Sequence, residues 1–303
     1  MEATKTLVVI LGPTASGKSA LAAKLARFLG TDVISTDSRQ FYKGMPIGTA
    51  WPSAEELSVA PHHFIGSHEL EENISAADFE RLALEKVNEI FLRNNFAVAC
   101  GGTGLYIKAL CEGLDPMPET DTLIEAEIDA EYQLKGIQWL QQRVQEEDPD
   151  FYATGEVQNP ARLLRALAFK RSTATSITAF RTGRKKTRPF NIIKVGLELP
   201  RELLYERINR RVDIMMGVGF LEEAKALLPK KHLKNLATVG YVELFEYLEG
   251  ICDLDFAIDK IKQHTRNYAK RQMTWFKKDA EISWFNALDE QLLVHVSKHI
   301  CRS

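Results

Sequence analysis

The sequence predicts an α/β fold: a parallel sheet around a glycine-rich turn, interrupted by a helical insertion. Three observations predict it. Over the first hundred residues, short and nearly uninterrupted apolar runs alternate with amphipathic helical patterns, as strands buried on both faces of a parallel sheet require. The first run leads directly into Gly12-Pro-Thr-Ala-Ser-Gly17-Lys18-Ser19. From about Gly113 the alternation gives way to helical spacing, and a strand pattern returns only at Phe190–Leu199.

In chain order, the strand candidates are Thr6–Leu11, Asp32–Thr36, His62–Ile65 and Phe96–Cys100. Between the first two, Ser19–Leu29 carries Leu21, Leu25, Phe28 and Leu29 at helical spacing and stops at Gly30, a residue suited to the left-handed cap. Ser75-Ala-Ala-Asp78 resembles a capping box ahead of Phe79, Leu82, Val87, Ile90 and Phe91. Thr122–Glu146 is helical in its spacing of Leu123, Ile124, Ile128, Leu134, Ile137, Leu140 and Val144. Asn159-Pro160 reads as cap and first-turn proline of the next helix. Arg181–Pro189 is expected to be an exposed basic loop, and Pro200 opens a helix bearing Leu204, Ile208, Val212 and Met215. The remainder is expected to be helical, broken near Gly217–Gly219, Pro229 and Gly250. The predicted organisation is a core in two parts, 1–113 and 190–303, with a helical insertion over 114–189.

Composition narrows the class. With 303 residues, 45% hydrophobic, and 39 Lys+Arg against 41 Asp+Glu, the chain is neither wholly disordered nor a globally basic nucleic-acid binder. No apolar run approaches the ~18 residues of a membrane span. Cys100, Cys111, Cys252 and Cys301 are scattered without metal-ligand spacing, which points to a reducing cytoplasm and away from disulfides or structural zinc. His62-His63 is expected to be one buried and one exposed strand residue. The formal charge of −2 hides a partition: residues 112–156 hold thirteen acids and two bases, whereas 157–197 hold ten bases and no acid. Residues 260–278 add seven bases without an acid. Such blocks suit either a solvated face balanced by the neighbouring acids or a track for a polyanion.

Residues 12–19 satisfy GxxxxGK[ST] between a buried-type strand and a helix, the context of a phosphate cradle and of a P-loop NTPase-like core. The backbone of Gly12, Pro13, Thr14, Ala15, Ser16 and Gly17 surrounds the anion, Lys18 supplies a charge, and the Ser19 hydroxyl is a ligand for Mg²⁺. Asp37, ending the second strand, faces the ligand crevice of an open sheet. There it is a metal ligand or a general base, unless it only caps the turn. Gly101-Gly-Thr-Gly104 ends another strand and places the Thr103 hydroxyl at the same edge.

Together these residues resemble the tRNA dimethylallyltransferases (tRNA isopentenyltransferases). The resemblance runs through GPTASGKS at 12–19, DSRQFYKGMPIGTA at 37–50, PHHFIG at 61–66, GGTGLYIKAL at 101–110 and ARLLRAL at 161–167. It continues through LPRELLYERINRRVDIMMGVGFLEEAKAL at 199–227, TVGYVELFEYLEG at 238–250 and TRNYAKRQMTWFKK at 265–278. It implies transfer of a dimethylallyl group from dimethylallyl diphosphate to the exocyclic amine of the adenosine 3′-adjacent to the anticodon of tRNA. In that reading the loop at 12–19, with Mg²⁺ on Ser19, holds the diphosphate, and Arg211 reaches it. Arg207 and Arg210 instead pair with Glu206 or nearby acids. Asp37 and Thr103 are the implied catalytic pair. Asp37, Ser38, Arg39, Gln40 and Thr103, with Arg162 and Arg165 of the insertion, are the implied tRNA contacts. The insertion would grip the anticodon stem-loop, and a cytoplasmic monomer is implied. Ala161 stands where the family has glutamine, which removes one base contact, and Arg39 stands where a smaller residue is usual. Alternatives are an adenylate isopentenyltransferase acting on free AMP or ATP, a small-molecule P-loop kinase, and a non-catalytic RNA-binding ATPase.

Overall fold

The structure, a computed structural model, describes residues 5–302. Six strands form one parallel sheet, in the order β3-β2-β4-β1-β5-β6: β1 (Thr6–Leu11), β2 (Val33–Ser35), β3 (His62–His63), β4 (Phe96–Gly101), β5 (Asn191–Glu198) and β6 (Ile282–Asn286). β1 lies at the centre, in register with β4 from Thr6↔Phe96 and with β5 from Thr6↔Asn191. The chain divides into two compact units, Met1–Glu112 with Thr187–Ser303, and Gly113–Lys186.

In the first unit, the helices are α1 (Lys18–Leu29), α2 (Ala54–Val59), α3 (Ala76–Phe91) and α4 (Gly104–Glu112). After the insertion come α8 (Arg201–Gly217), α9 (Phe220–Leu227), α10 (Tyr241–Leu248), α11 (Leu254–Phe276) and α12 (Leu292–Arg302). Alternate residues of the central strands feed two cores. Leu7, Val9, Leu11, Ala97 and Ala99 join the side of α3, α4 and α10. Val8, Ile10, Val98, Val195 and Leu197 meet α1 and α12. Both faces of β1 are therefore closed to water, which is why its sequence is an unbroken apolar run. The capping box at Ser75 is formed, and Gly30 ends α1 at φ 64°. No helix among the described residues is long and apolar enough to cross a membrane.

The second unit contains α5 (Thr122–Glu147), α6 (Pro149–Thr154) and α7 (Pro160–Thr173) around Ile128, Leu140, Val144, Phe151, Leu163, Leu167 and Phe169. The arginines of α7 are tied to the unit's acids. Arg162 pairs with Glu156 at 2.7 Å, Arg165 with Glu125 at 3.2 Å and Arg171 with Glu147 at 2.7 Å. The balanced-face reading of the charge blocks therefore holds for these arginines.

The structure corrects several sequence expectations. β3 stops at His63 because Phe64 turns into left-handed backbone at φ 65°. Both histidines are half-buried; His63 Nε2 meets Asp32 Oδ2 at 2.7 Å. β6 falls in the stretch expected to be helical. It is a short edge strand, pairing with β5 alone, and its Ser, Trp and Asn hide the apolar period. Gly136, at φ 74°, bends α5; before the bend Leu123 and Leu134 lie on the exposed face and Ile128 on the buried one, and after it Leu140 is buried. Asn159 precedes α7 without a side-chain cap. Arg188 does not belong to an exposed loop. Its guanidinium is buried on Glu80 (2.9 Å) and donates to the carbonyls of Ala109 (2.6 Å) and Leu110 (3.0 Å).

Candidate active site

β1 delivers the chain into the phosphate loop, and α1 begins at Lys18. Gly17, at φ 89°, holds a left-handed turn that a side chain would oppose. In such a turn the amides and the helix N-terminus converge on one point, the geometry that binds phosphate. Ser16 Oγ is buried in the loop without a hydrogen-bond partner. Lys18 Nζ donates to the Pro13 carbonyl at 3.1 Å, and Arg211 of α8 donates to Thr14 Oγ1 at 3.4 Å. Burial lowers the pKa of both cations; Arg211 adds to the effect on Lys18, while Cys100 and Asp37 oppose it. Two half-buried cations with so little compensation call for an anion of more than one charge. Burial pushes the neighbouring Cys100 up to about 12, so it stays a thiol and is no nucleophile at neutral pH.

β2 ends one residue short of the turn that carries Asp37. Asp37 Oδ1 accepts the Arg39 amide at 2.9 Å, a local turn-forming bond, whereas Oδ2 has no partner among the described residues. The capping role and an available carboxylate oxygen therefore coexist in one side chain. The Ser38 amide donates to Thr103 Oγ1 at 3.0 Å, and that hydroxyl donates to Ser38 Oγ at 3.3 Å, joining the Asp37 turn to the turn after β4. Gln40 is held locally: its amide group donates to Ala50 O at 2.9 Å and accepts from Ser35 Oγ at 2.9 Å. Arg39 Nη1 donates to Asn235 Oδ1 at 3.2 Å.

One side chain on α11 ties these parts together. Gln272, 6% exposed, accepts the Thr14 amide at 2.9 Å and donates to the Gly102 carbonyl at 2.9 Å. A Cβ at Gly102 would lie 2.1 Å from Gln272 Nε2, which accounts for glycine in that turn. Two cavities meet at Thr14, Asp37 and Arg211. The first is lined by Lys18, Ser19, Gln40 and Cys100. The second, about 460 Å³, has Ser38, Arg39, Thr103, Tyr268 and Arg271 on its polar side, with Ile208, Val212, Met215 and Ile261 forming an apolar wall.

Most residues singled out in the sequence thus share one site: the loop at 12–19, Asp37, Ser38, Arg39, Gln40, Thr103 and Arg211. Arg162 and Arg165 lie on α7 in the other unit. The expectation for Arg207 is overturned: neither it nor Arg210 has an acidic partner among the described residues, and Arg207 lines a cavity with Gly17, Lys18, Ser19 and Arg211. Sequence reasoning missed Gln272, Tyr268 and Arg271, since the run at 260–278 registered there as charge and as a block of family resemblance, with no role given to any single residue. An uncharged glutamine amid seven bases was the available signal.

A phosphate loop at the carboxyl edge of a parallel sheet, two half-buried cations and a carboxylate across the cavity define a P-loop protein that binds a di- or triphosphate. The family model for IPP transferase matches residues 40–279, and the chain belongs to that family. It is 47% identical over 279 residues to a tRNA dimethylallyltransferase of Christiangramia forsetii, covering 92% of each chain. It is 42% identical to tRNA dimethylallyltransferase 1 of Bacteroides fragilis, covering 95% of each. Among solved structures, the full-length tRNA isopentenylpyrophosphate transferase of Bacillus halodurans matches with TM-score 0.73 at 36% identity, covering 98% of this chain and 96% of that one. A eukaryotic dimethylallyltransferase acting on tRNA matches with TM-score 0.81 at 25% identity, covering 98% of this chain and 78% of its own.

Proposed function

We propose that this protein transfers the dimethylallyl group of dimethylallyl diphosphate to the exocyclic amine of the tRNA adenosine 3′-adjacent to the anticodon. The observation that carries the reading is the meeting of two cavities at Asp37: half-buried cations on one side, Thr103 and an apolar wall on the other. The C–O bond of the donor breaks, the amine nitrogen bonds to the allylic carbon, and diphosphate leaves with the electron pair. Lys18, Arg211 and the loop amides stabilise the charge growing on that leaving group. Asp37 Oδ2 takes the amine proton, and Thr103 fixes the turn that presents the carboxylate. The acceptor base must leave its stack to reach this depth. Arg39, Ser38 and Gln40 hold the rim it enters, and Arg162 and Arg165 of the insertion contact tRNA phosphates.

The donor set also fits Mg²⁺, with the Ser19 hydroxyl as protein ligand and Asp37 facing the same cavity, hard oxygens of the kind that ion prefers. When bound, Mg²⁺ supplies charge neutralisation on the diphosphate. We place the reaction in the cytoplasm, with tRNA and in keeping with four free cysteines. The test is labelled dimethylallyl diphosphate offered with total tRNA, AMP or ATP. Label in tRNA is expected; label in AMP would assign an adenylate isopentenyltransferase, and ATP hydrolysis without label a kinase or ATPase.

A further inference from the structure

Besides Thr14, Asp37 and Arg211, the two cavities share Thr49 and Ala50, and Gly48 lines the second alone. Inside this turn the amides of Thr49, Ala50 and Trp51 bond back to the carbonyls of Met45, Ile47 and Pro46. Those of Ile47 and Gly48 are taken from outside by one carboxylate. Glu223 of α9 accepts them at 2.9 and 2.8 Å, each on its own oxygen. The oxygen that holds Gly48 also accepts the hydroxyl of fully buried Tyr241 at 2.5 Å. Burial first, and then the charge of Glu223, push that hydroxyl's pKa up, so Tyr241 stays a donor. No cation pairs with Glu223 among the described residues; three neutral donors hold its charge. On the inner side the Ala50 carbonyl accepts from Gln40 at 2.9 Å. Ala50 itself sits at φ 50°, left-handed backbone that a side chain resists unless its surroundings hold it. The packing is close as well: a Cβ on Gly48 would lie 2.5 Å from the rings of Phe220 and Tyr241.

We propose that Glu223 is a positioning residue for the transfer: by holding the amides of Ile47 and Gly48 it fixes the turn at 47–50, and so the alignment of the amine nitrogen with the allylic carbon where the cavities meet. The inference rests on the transfer reading above. The donor set calls for a carboxylate. Two amides and a hydroxyl converge on two oxygens, whereas a glutamine offers one oxygen and turns an N–H₂ group against a donor. Glu223 lines neither cavity, so it acts only through the turn. Reacting atoms must stand about 3–3.5 Å apart, and a small shift of the wall that aligns them costs rate rather than binding. A simple brace between α9 and α10 would need only the Tyr241 hydroxyl; the two amides belong to the cavity wall.

The experiment compares the full chain with Glu223→Gln, Tyr241→Phe and Gly48→Ala. It measures kcat, both KM values, the thermal midpoint and the ratio of diphosphate released to prenyl group transferred. Glu223→Gln is expected to lower kcat at least about tenfold, with both KM values within about twofold of the original. Diphosphate is expected to exceed prenylated tRNA in that variant. With the amine out of line, water bonds to the allylic carbon as the C–O bond breaks, giving dimethylallyl alcohol, diphosphate and a proton. Tyr241→Phe leaves both amides held, so the midpoint is expected to fall while kcat stays within about twofold. Gly48→Ala moves the turn with the carboxylate intact and is expected to show the same excess of diphosphate. A folded Glu223→Gln with kcat and product ratio unchanged overturns the inference, as does a rise in either KM with kcat intact. Equal loss of kcat in Tyr241→Phe and Glu223→Gln also overturns it, since the carboxylate would then be a brace between helices. If Glu223→Gln does not fold, an unchanged product ratio in Gly48→Ala overturns it instead. Transfer to tRNA by the unaltered chain, measured alongside, separates these failures from failure of the functional reading.

Discussion

Asp37 shows how one side chain serves structure and chemistry together. Oδ1 accepts the Arg39 amide and shapes the turn, while Oδ2 remains for a proton. Asp37→Asn keeps the first contact and removes the base, so prenyl transfer is expected to fall at least ~10²-fold, with tRNA binding largely intact. Single-turnover assays with bound RNA check this, and near-normal turnover would remove Asp37 from the mechanism. Gln272 acts at one remove, as a positioning residue between the phosphate loop and the Thr103 turn. Gln272→Ala strands the Thr14 amide and the Gly102 carbonyl, each worth roughly 1–3 kcal/mol when left unsatisfied. The KM for dimethylallyl diphosphate is therefore expected to rise about tenfold. Steady-state kinetics with RNA saturating read it, and an unchanged KM would mean that the loop holds its shape without Gln272. Asp37 was legible in the sequence because it ends a strand near the phosphate loop. Gln272 was not, because its two partners are 258 and 170 residues away.

At the scale of elements, local signals read well where one physical cause acts alone. The capping box at Ser75, the stop at Gly30 and the buried run of β1 all follow from neighbours in sequence. They fail where tertiary partners decide. β6 gains its strand from pairing with β5, and Arg188 is drawn inward by Glu80 and by the free carbonyls at the end of α4. This gives neighbouring arginines opposite expectations. Arg188→Ala removes a buried guanidinium from Glu80 and from the carbonyls of Ala109 and Leu110 and is expected to cost about 3–5 kcal/mol in chemical denaturation. Arg184→Ala, exposed and without an acidic partner, is expected to leave stability unchanged and to reduce the salt dependence of RNA binding. A denaturation midpoint insensitive to Arg188→Ala would contradict the buried pairing.

Over the whole molecule, the charge of −2 conceals how the chain handles a polyanion. The acidic block supplies Glu125, Glu147 and Glu156 to the arginines of α7, so the insertion is neutralised from within. Replacing Glu125 and Glu156 by glutamine frees Arg165 and Arg162 and is expected to tighten stem-loop binding several-fold at low salt, with the gain vanishing at high salt. Titrations at two ionic strengths decide it; equal affinity in both proteins would leave these arginines a purely structural role. By itself the sequence determined the phosphate loop, the parallel sheet, the inserted helical unit and the family, because each is written in local spacing or contiguous blocks. Only the tertiary structure decided which charges are available and which are satisfied, and that Gln272, Tyr268 and Arg271 join the site. The reason is physical: ion pairing and burial depend on groups that meet only when distant segments pack, and no local pattern records them.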